Sequence, residues 1–471
     1  MHGDRTARSL LLAALLLGAL ADALLRYVPP GLNVLLWTAV CVTIALRAPR
    51  RSWFAGICAL VAASGLVWRS AETLTMLDIL LLAVFLPMLA IDARGVRVAA
   101  AGLMEIAGGV AWTGVQTAAG LPQLLFRDLA WRFAPREDAG RVKSAARGIV
   151  IAVVPLIVFG TLLSSADEHF AKLFSIDISD AVTHVIVTLV VAAICAGFLR
   201  SLYFSDAMPR ISRPSFVQLP EAEINIALAL VNVLFALFVM VQFRYFFGAA
   251  PAALAEYARR GFFELVAVVA LVLPMLLAME WLVSRRSATF RALALTQVAL
   301  VFVIAASAYR RMQLYRDEFG LTQLRFYTTA FMVWLAVLLL WFAIIVLLRG
   351  QRQRFAIGVL STAVAAVVLL HAINPDALIV NVNLQRAADG RRAFDSKYAG
   401  QLSDDAAEVI VAHRTAFDPI VFYRYVRRER PMGWRTWNVS RARAIAAVAP
   451  YRNAPQPLRI ERHAADRPAV P

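Results

Sequence analysis

The feature that most restricts this chain is the recurrence of long apolar runs, at residues 9–25, 32–46, 53–68, 74–91, 148–166, 181–199, 224–243, 262–283, 292–312, 326–348 and 355–373. An α-helix rises about 1.5 Å per residue, so roughly 20 residues cross a hydrocarbon core of about 30 Å, and fewer suffice where polar ends snorkel. Lipid offers backbone groups no water, so runs of this kind must be helical. The expected fold is therefore all-α, a polytopic transmembrane helical bundle of about eleven spans. Composition agrees: 61% hydrophobic and 17% charged residues exclude a string of soluble domains, which carry about 25% charged residues.

The formal net charge is +17, from 48 Lys and Arg against 31 Asp and Glu. In a soluble chain that excess would suggest nucleic acid. Here basic loops that orient membrane helices account for it, and no nucleic-acid partner is expected. Cys41, Cys58 and Cys195 all fall inside apolar runs, so neither a disulfide framework nor a zinc spacing is available.

Loop charge sets the expected orientation. With the N-terminus cytoplasmic, the inner loops collect Arg47, Arg50 and Arg51; Arg94 and Arg97; the basic residues of 127–147; Arg200, Arg210 and Arg213; Arg285, Arg286 and Arg291; and Arg349, Arg352 and Arg354. The outer loop 167–180 is acidic, with Asp167, Glu168, Asp177 and Asp180 against Lys172. This asymmetry places the N-terminus inside and, with eleven spans, the C-terminus outside. Arg5, Arg8, a short apolar run and Ala19-Leu20-Ala21 also fit a secretory signal, although the run continues to Leu25. Residues 98–125, apolar but rich in Gly and Ala and containing Glu105, are read as an interfacial helix or re-entrant hairpin, because a true span would turn the basic 127–147 loop outward.

Three parts follow: residues 1–147, N-terminal helices with the interfacial segment and a basic loop; 148–373, the transmembrane core; and 374–471, a small, polar, mainly helical C-terminal module. Within the last, Ala406, Ala407, Val409, Ile410 and Val411 give an apolar side behind Ser403-Asp404-Asp405, a helix N-terminal signature. Prolines beyond about 450 suggest a frayed end.

Polar residues inside the apolar runs are the candidate site. Glu256, Arg260 and Glu264 recur every four residues, so one helix face would carry alternating charge. A juxtamembrane helix meeting headgroups explains this most simply, but Glu264 already lies in the apolar run, where an ionisable group is costly. Arg259-Arg260 and Arg310-Arg311 are basic pairs on the outer side, against the general rule, and could meet an anionic lipid headgroup or a phosphate. The apolar run at 292–312 continues as a polar helix to Gly320, a natural stop, and Thr322 could cap the next helix. Asn232, seven residues after Asn225, is more simply helix–helix glue. Asp78, His184, Gln242, Glu280, Gln297 and His371 are isolated polar residues whose partners local spacing does not supply.

No GxxxxGK, GxSxG, HExxH or strand-borne GxGxxG occurs. An enzyme is less expected than a non-enzyme, and no cofactor or metal is implied. Leu163-Ser164-Ser165-Ala166-Asp167 with Phe170, the 256–264 string, Arg311-Met312 with Leu314-Tyr315, Gly320-Leu321-Thr322, Asn374-Pro375 with Asn383 and Arg386, and Trp434-Arg435 with Trp437-Asn438 together resemble a bacterial family of multi-pass membrane proteins known only as a domain of unknown function. The resemblance covers about 148–445, leaves the first 147 residues outside it, and implies a shared helical membrane fold and no assigned activity; the expected location is a bacterial inner membrane. Val380-Asn381-Val382 departs from the pattern. Three roles stay open: a transporter or channel-like component, a sensor or assembly partner working through the module with a protein partner, and an intramembrane enzyme on a lipid-linked phosphate.

Overall fold

The computed structural model describes residues 2–48, 51–91, 98, 101–129, 180–204, 218–247, 262–284, 286–391 and 393–453, with single positions between 148 and 163. The described residues are helical, with one isolated bridge between Leu219 and Val283 and no strand. The helices are α1 His2–Leu25, α2 Leu32–Ala45, α3 Trp53–Trp68, α4 Glu72–Met88, α5 Leu103–Gln123, α6 Asp180–Tyr203, α7 Glu221–Phe247, α8 Phe262–Leu282, α9 Ala288–Phe319, α10 Gln323–Phe342 and α11 Gln353–Ile373. The C-terminal module adds α12 Pro375–Ala388, α13 Ser396–Ala399, α14 Ala407–Ala412, α15 Pro419–Val426 and α16 Val439–Val448.

Among the described residues, seven helices are long and apolar enough to cross a membrane: Arg5–Leu25, Thr183–Tyr203, Glu221–Val241, Phe262–Leu282, Ala288–Phe319, Gln323–Leu348 and Gln353–Ile373. The expected count of about eleven is not confirmed among the described residues. α2, α3 and α4 have 14, 16 and 17 residues, about 21–26 Å of helix, shorter than the hydrocarbon core of about 30 Å. The run at 148–166 lies outside the continuously described residues. Residues 103–123 form one continuous helix, not a hairpin, and it is not among the seven.

Two apolar cores divide the helices. The first joins α1–α6, with Leu66, Phe85, Met88, Leu199 and Leu202 at its centre. The second joins α7–α10, with Leu228, Val269, Val301, Leu339 and Phe342. α11 belongs to both, packing Ala356 and Val367 on the first and Phe355 on the second. In α5 and α6, backbones touch because a Cβ on Gly120 would lie 2.5 Å from the Cα of Gly197, the small-residue contact that lets membrane helices approach closely.

The module has its own core, built from Ile379, Val380, Leu402, Ala406, Ala407, Ile410, Phe422, Tyr425, Val426, Ala444 and Val448, to which Leu321 of the α9–α10 turn contributes. The apolar side read at 406–411 faces this core, and the Ser403 hydroxyl accepts from Asp405 N at 3.2 Å, as the helix-start signature implies. The 32-residue α9 stops at Gly320, whose φ of 80° L side chains rarely adopt, and the Thr322 hydroxyl caps α10. α1 ends and α4 begins on the module side, so the module sits on the end of the helices opposite the N-terminus.

Candidate functional site at the seam between the helices and the module

The module is fastened to the helices by side chains that satisfy exposed helix ends. The last carbonyls and first N–H groups of any helix lack intrahelical partners. Asn438 Nδ2 donates to Leu66 O and Arg69 O, both at 2.8 Å, closing the end of α3, while its Oδ1 accepts from Arg441 N at 3.0 Å and starts α16. Arg435 Nη1 donates to Ala23 O at 2.8 Å near the end of α1, and Leu32 N and Asn33 N donate to Trp437 O and Arg435 O. Arg386 sends Nη1 to Arg316 O at 2.7 Å and Nη2 to Asp317 O at 2.6 Å, a cation at the negative end of α9. Asn383 pairs both ways with Leu321, accepting from N and donating to O at 2.8 Å each.

Two acids complete the seam. Asp405 accepts from Ser70 N at 3.1 Å and Ala71 N at 2.8 Å, capping the start of α4 from the far end of the sequence. Burial pushes its carboxyl above the ordinary aspartate value, against the opposing hydrogen bonds from Ser440, Ser70 and Ala71 and the charge of Arg69. Asp376, fully buried, accepts from Gln323 Nε2 at 2.8 Å and from Ser403 N at 3.0 Å, so α10 meets the module through one carboxylate. The module therefore grips both helical cores.

Directly beneath lies a buried titratable pair. Asp78 on α4 and His371 on α11 are 1% and 2% exposed, and His371 Nε2 lies 3.0 Å from Asp78 Oδ2. His371 Nδ1 lies 2.9 Å from Val367 O, which only accepts, so Nδ1 carries a hydrogen. The hydrogen between Nε2 and Oδ2 must then sit on one of the two, so the pair holds one shared proton and is neutral overall. Asp78 Oδ1 is buried with no hydrogen-bond partner among the described residues. Trp68 leans over the imidazole, ring centroids 5.9 Å apart, and Arg69 Nε donates to His371 O at 2.9 Å. Gly65 makes room for the carboxyl, since a Cβ there would come 2.5–2.7 Å from its atoms.

The residues singled out from sequence are arranged otherwise. Glu256, Arg259 and Arg260 lie outside the described residues. Glu264 is exposed on α8, and Arg310 exposed and Arg311 half-buried on α9. Asn232 is buried and its Nδ2 donates to Leu293 O at 2.9 Å, joining α7 to α9. Among the isolated polar residues, Asp78, His371, His184 and Glu280 find partners, whereas Gln297 is buried with neither amide atom hydrogen-bonded among the described residues. His184 on α6 meets Asp22 through Nδ1 and Arg26 through Nε2, and Glu280 meets Arg286 and Arg352. Asp78 and His371 stand 293 residues apart in sequence, so no local spacing could pair them.

These helices and this seam define a helical membrane protein with a polar module seated on one end. The sequence profile of a domain of unknown function, DUF4153, matches residues 56–413, and the chain belongs to that family. Comparison with curated proteins and with solved structures gave no match.

Proposed function

We propose that the chain is a membrane sensor or assembly component that works through its C-terminal module, in a bacterial inner membrane with the N-terminus cytoplasmic and the module outside. The observation that carries this reading is the double grip: Asn438, Arg435 and Asp405 hold the first helical core, and Arg386, Asn383 and Asp376 hold the second. A body that spans two packed units responds to, or sets, their relative position. Strings that carry the family resemblance, Gly320-Leu321-Thr322, Asn383 with Arg386, and Trp437-Asn438, all lie in this grip. Co-purification in mild detergent tests it, comparing the full chain with Asp405→Ala and Asn438→Ala. A protein partner held by the full chain and lost from folded variants supports the reading; no module-dependent partner ends it.

A transporter or channel-like role is the second reading, favoured by Asp78 and His371, because ionisable groups among apolar helices commonly serve proton and ion pathways. Proton flux into reconstituted vesicles, with Asp78→Asn as control, decides it: flux equal to that of empty vesicles removes the reading.

A further inference from the structure

At the end of the helices away from the module, two loops far apart in sequence close around one cavity. It measures about 180 Å³ and is lined by Glu280, Arg286, Phe290, Arg291, Leu348 and Arg349 among others. Its one lining carboxylate, Glu280, is 4% exposed and meets Arg286 and Arg352, while Arg352 Nη2 also donates to Glu280 O at 2.8 Å. Arg286, Arg291 and Arg349 line the cavity and Arg352 pairs with Glu280 from outside the lining, so four arginines accompany one acid among the described residues, an excess of three positive charges at a partly enclosed surface. The acid fixes two guanidinium groups and leaves Arg291 and Arg349, both exposed, bordering the cavity.

Orientation by positive loops explains why arginines occur in these connections. It does not explain their convergence on a cavity around a buried acid. The start of α9 adds the positive end of a 32-residue helix, with the Ser287 hydroxyl accepting from Phe290 N at 3.0 Å. Gly350, at φ 68°, turns the backbone beside Arg286, whose Nη1 would lie 3.7 Å from a Cβ there. The other wall is apolar: Phe290, Val346, Leu347 and Leu348, the last 56% exposed toward the surroundings of the helices.

We propose that this cavity binds a phosphate group, with Arg291 and Arg349 as its free donors and the Val346–Leu348 wall accepting the attached chain when the phosphate belongs to a lipid. Guanidinium forks match phosphate oxygens in pairs, and an apolar wall beside them suits an amphiphile. Free phosphate shares the same donors and is the other source.

The test uses the purified full chain, stripped of lipid, in a neutral detergent. Thermal melting is followed while phosphatidylglycerol, phosphatidylcholine or inorganic phosphate is added to the wild type, to Arg291→Gln/Arg349→Gln, and to Arg291→Lys/Arg349→Lys. Neither position touches Glu280, so melting without ligand should be preserved, and that baseline is read first. Phosphatidylglycerol raises the wild-type melting temperature more than phosphatidylcholine, and the Gln pair weakens its apparent affinity about tenfold for each arginine lost, as a charge-assisted hydrogen bond implies. The Lys pair retains part of the effect, because charge survives and the fork does not. A response to millimolar inorganic phosphate that the Gln pair abolishes supports the site with free phosphate as its source. No response to either anion, or an equal response in wild type and Gln pair, overturns it.

Discussion

The proton held between Asp78 and His371 sets different costs for two substitutions of Asp78. Asp78→Ala removes the partner that His371 Nε2 has among the described residues, in a site 1–2% exposed, and leaving a buried polar group unpaired costs about 1–3 kcal/mol, with the lost packing added. Asp78→Asn behaves differently. The amide fits the same space, its Nδ2 donates to Nε2 of a neutral imidazole, and Nδ1–H still reaches Val367 O, so both ring nitrogens remain bonded. One hydrogen bond is exchanged for another, at a cost of about 1 kcal/mol or less. Reversible unfolding in mixed micelles measures both variants, and nitrogen-15 NMR of the ring should report a neutral imidazole in Asp78→Asn. If Asn and Ala prove equally destabilising, or if the Asn variant retains a protonated ring, the shared-proton reasoning fails.

Other consequences concern the same seam. Gly65→Ala places a Cβ 2.5–2.7 Å from the Asp78 carboxyl and should cost about 1–3 kcal/mol alone, but clearly less in an Asp78→Ala background, a non-additivity that a double-mutant cycle detects. Asn438→Ala loses two carbonyl contacts and a helix cap, for about 2–3 kcal/mol, and should expose the end of α3 to faster amide exchange around residue 69. Gly320→Ala meets both a positive φ and Asn383 Oδ1 at 2.8 Å, so about 1–3 kcal/mol is expected, read as a lower melting temperature. Asp405 has its folded pKa raised, so its contribution is fully present below the ordinary aspartate value of 3.8 and is lost as pH rises through the raised one. Module docking, followed by limited proteolysis of the seam, should weaken over that interval, and Asp405→Asn should flatten the profile.

Much of the fold was legible because it is local. Apolar runs marked most helices, Gly320 and Thr322 marked the α9–α10 turn, and Ser403 marked a helix start. Span number is less legible, since hydropathy registers α2–α4 as apolar without registering that their helices run only 14–17 residues, at or below the length of an ordinary crossing. The seam was legible only as fragments. Asp78, His371 and Glu280 stood out as costly polar residues, whereas Asp78 and His371 pair across 293 residues and Glu280 pairs with Arg286 in the next connection and with Arg352, 72 residues on. Asp405 read as part of a helix start within its own segment, yet it caps α4 from 334 residues away, a contact that only tertiary packing creates. Helix-face spacing pointed toward Glu264, which is exposed on α8.

The most direct test of the seated module is a disulfide between Leu32→Cys and Trp437→Cys in native membranes, with Cys41, Cys58 and Cys195 replaced. Leu32 N donates to Trp437 O at 3.1 Å, so the two backbones are hydrogen-bonded neighbours. Mild oxidation should join the pair nearly completely, while a Leu12→Cys/Trp437→Cys control on the exposed flank of α1 stays unjoined. Efficient joining of the control, or none in the first pair, would contradict a module fixed on the end of the helices opposite the N-terminus.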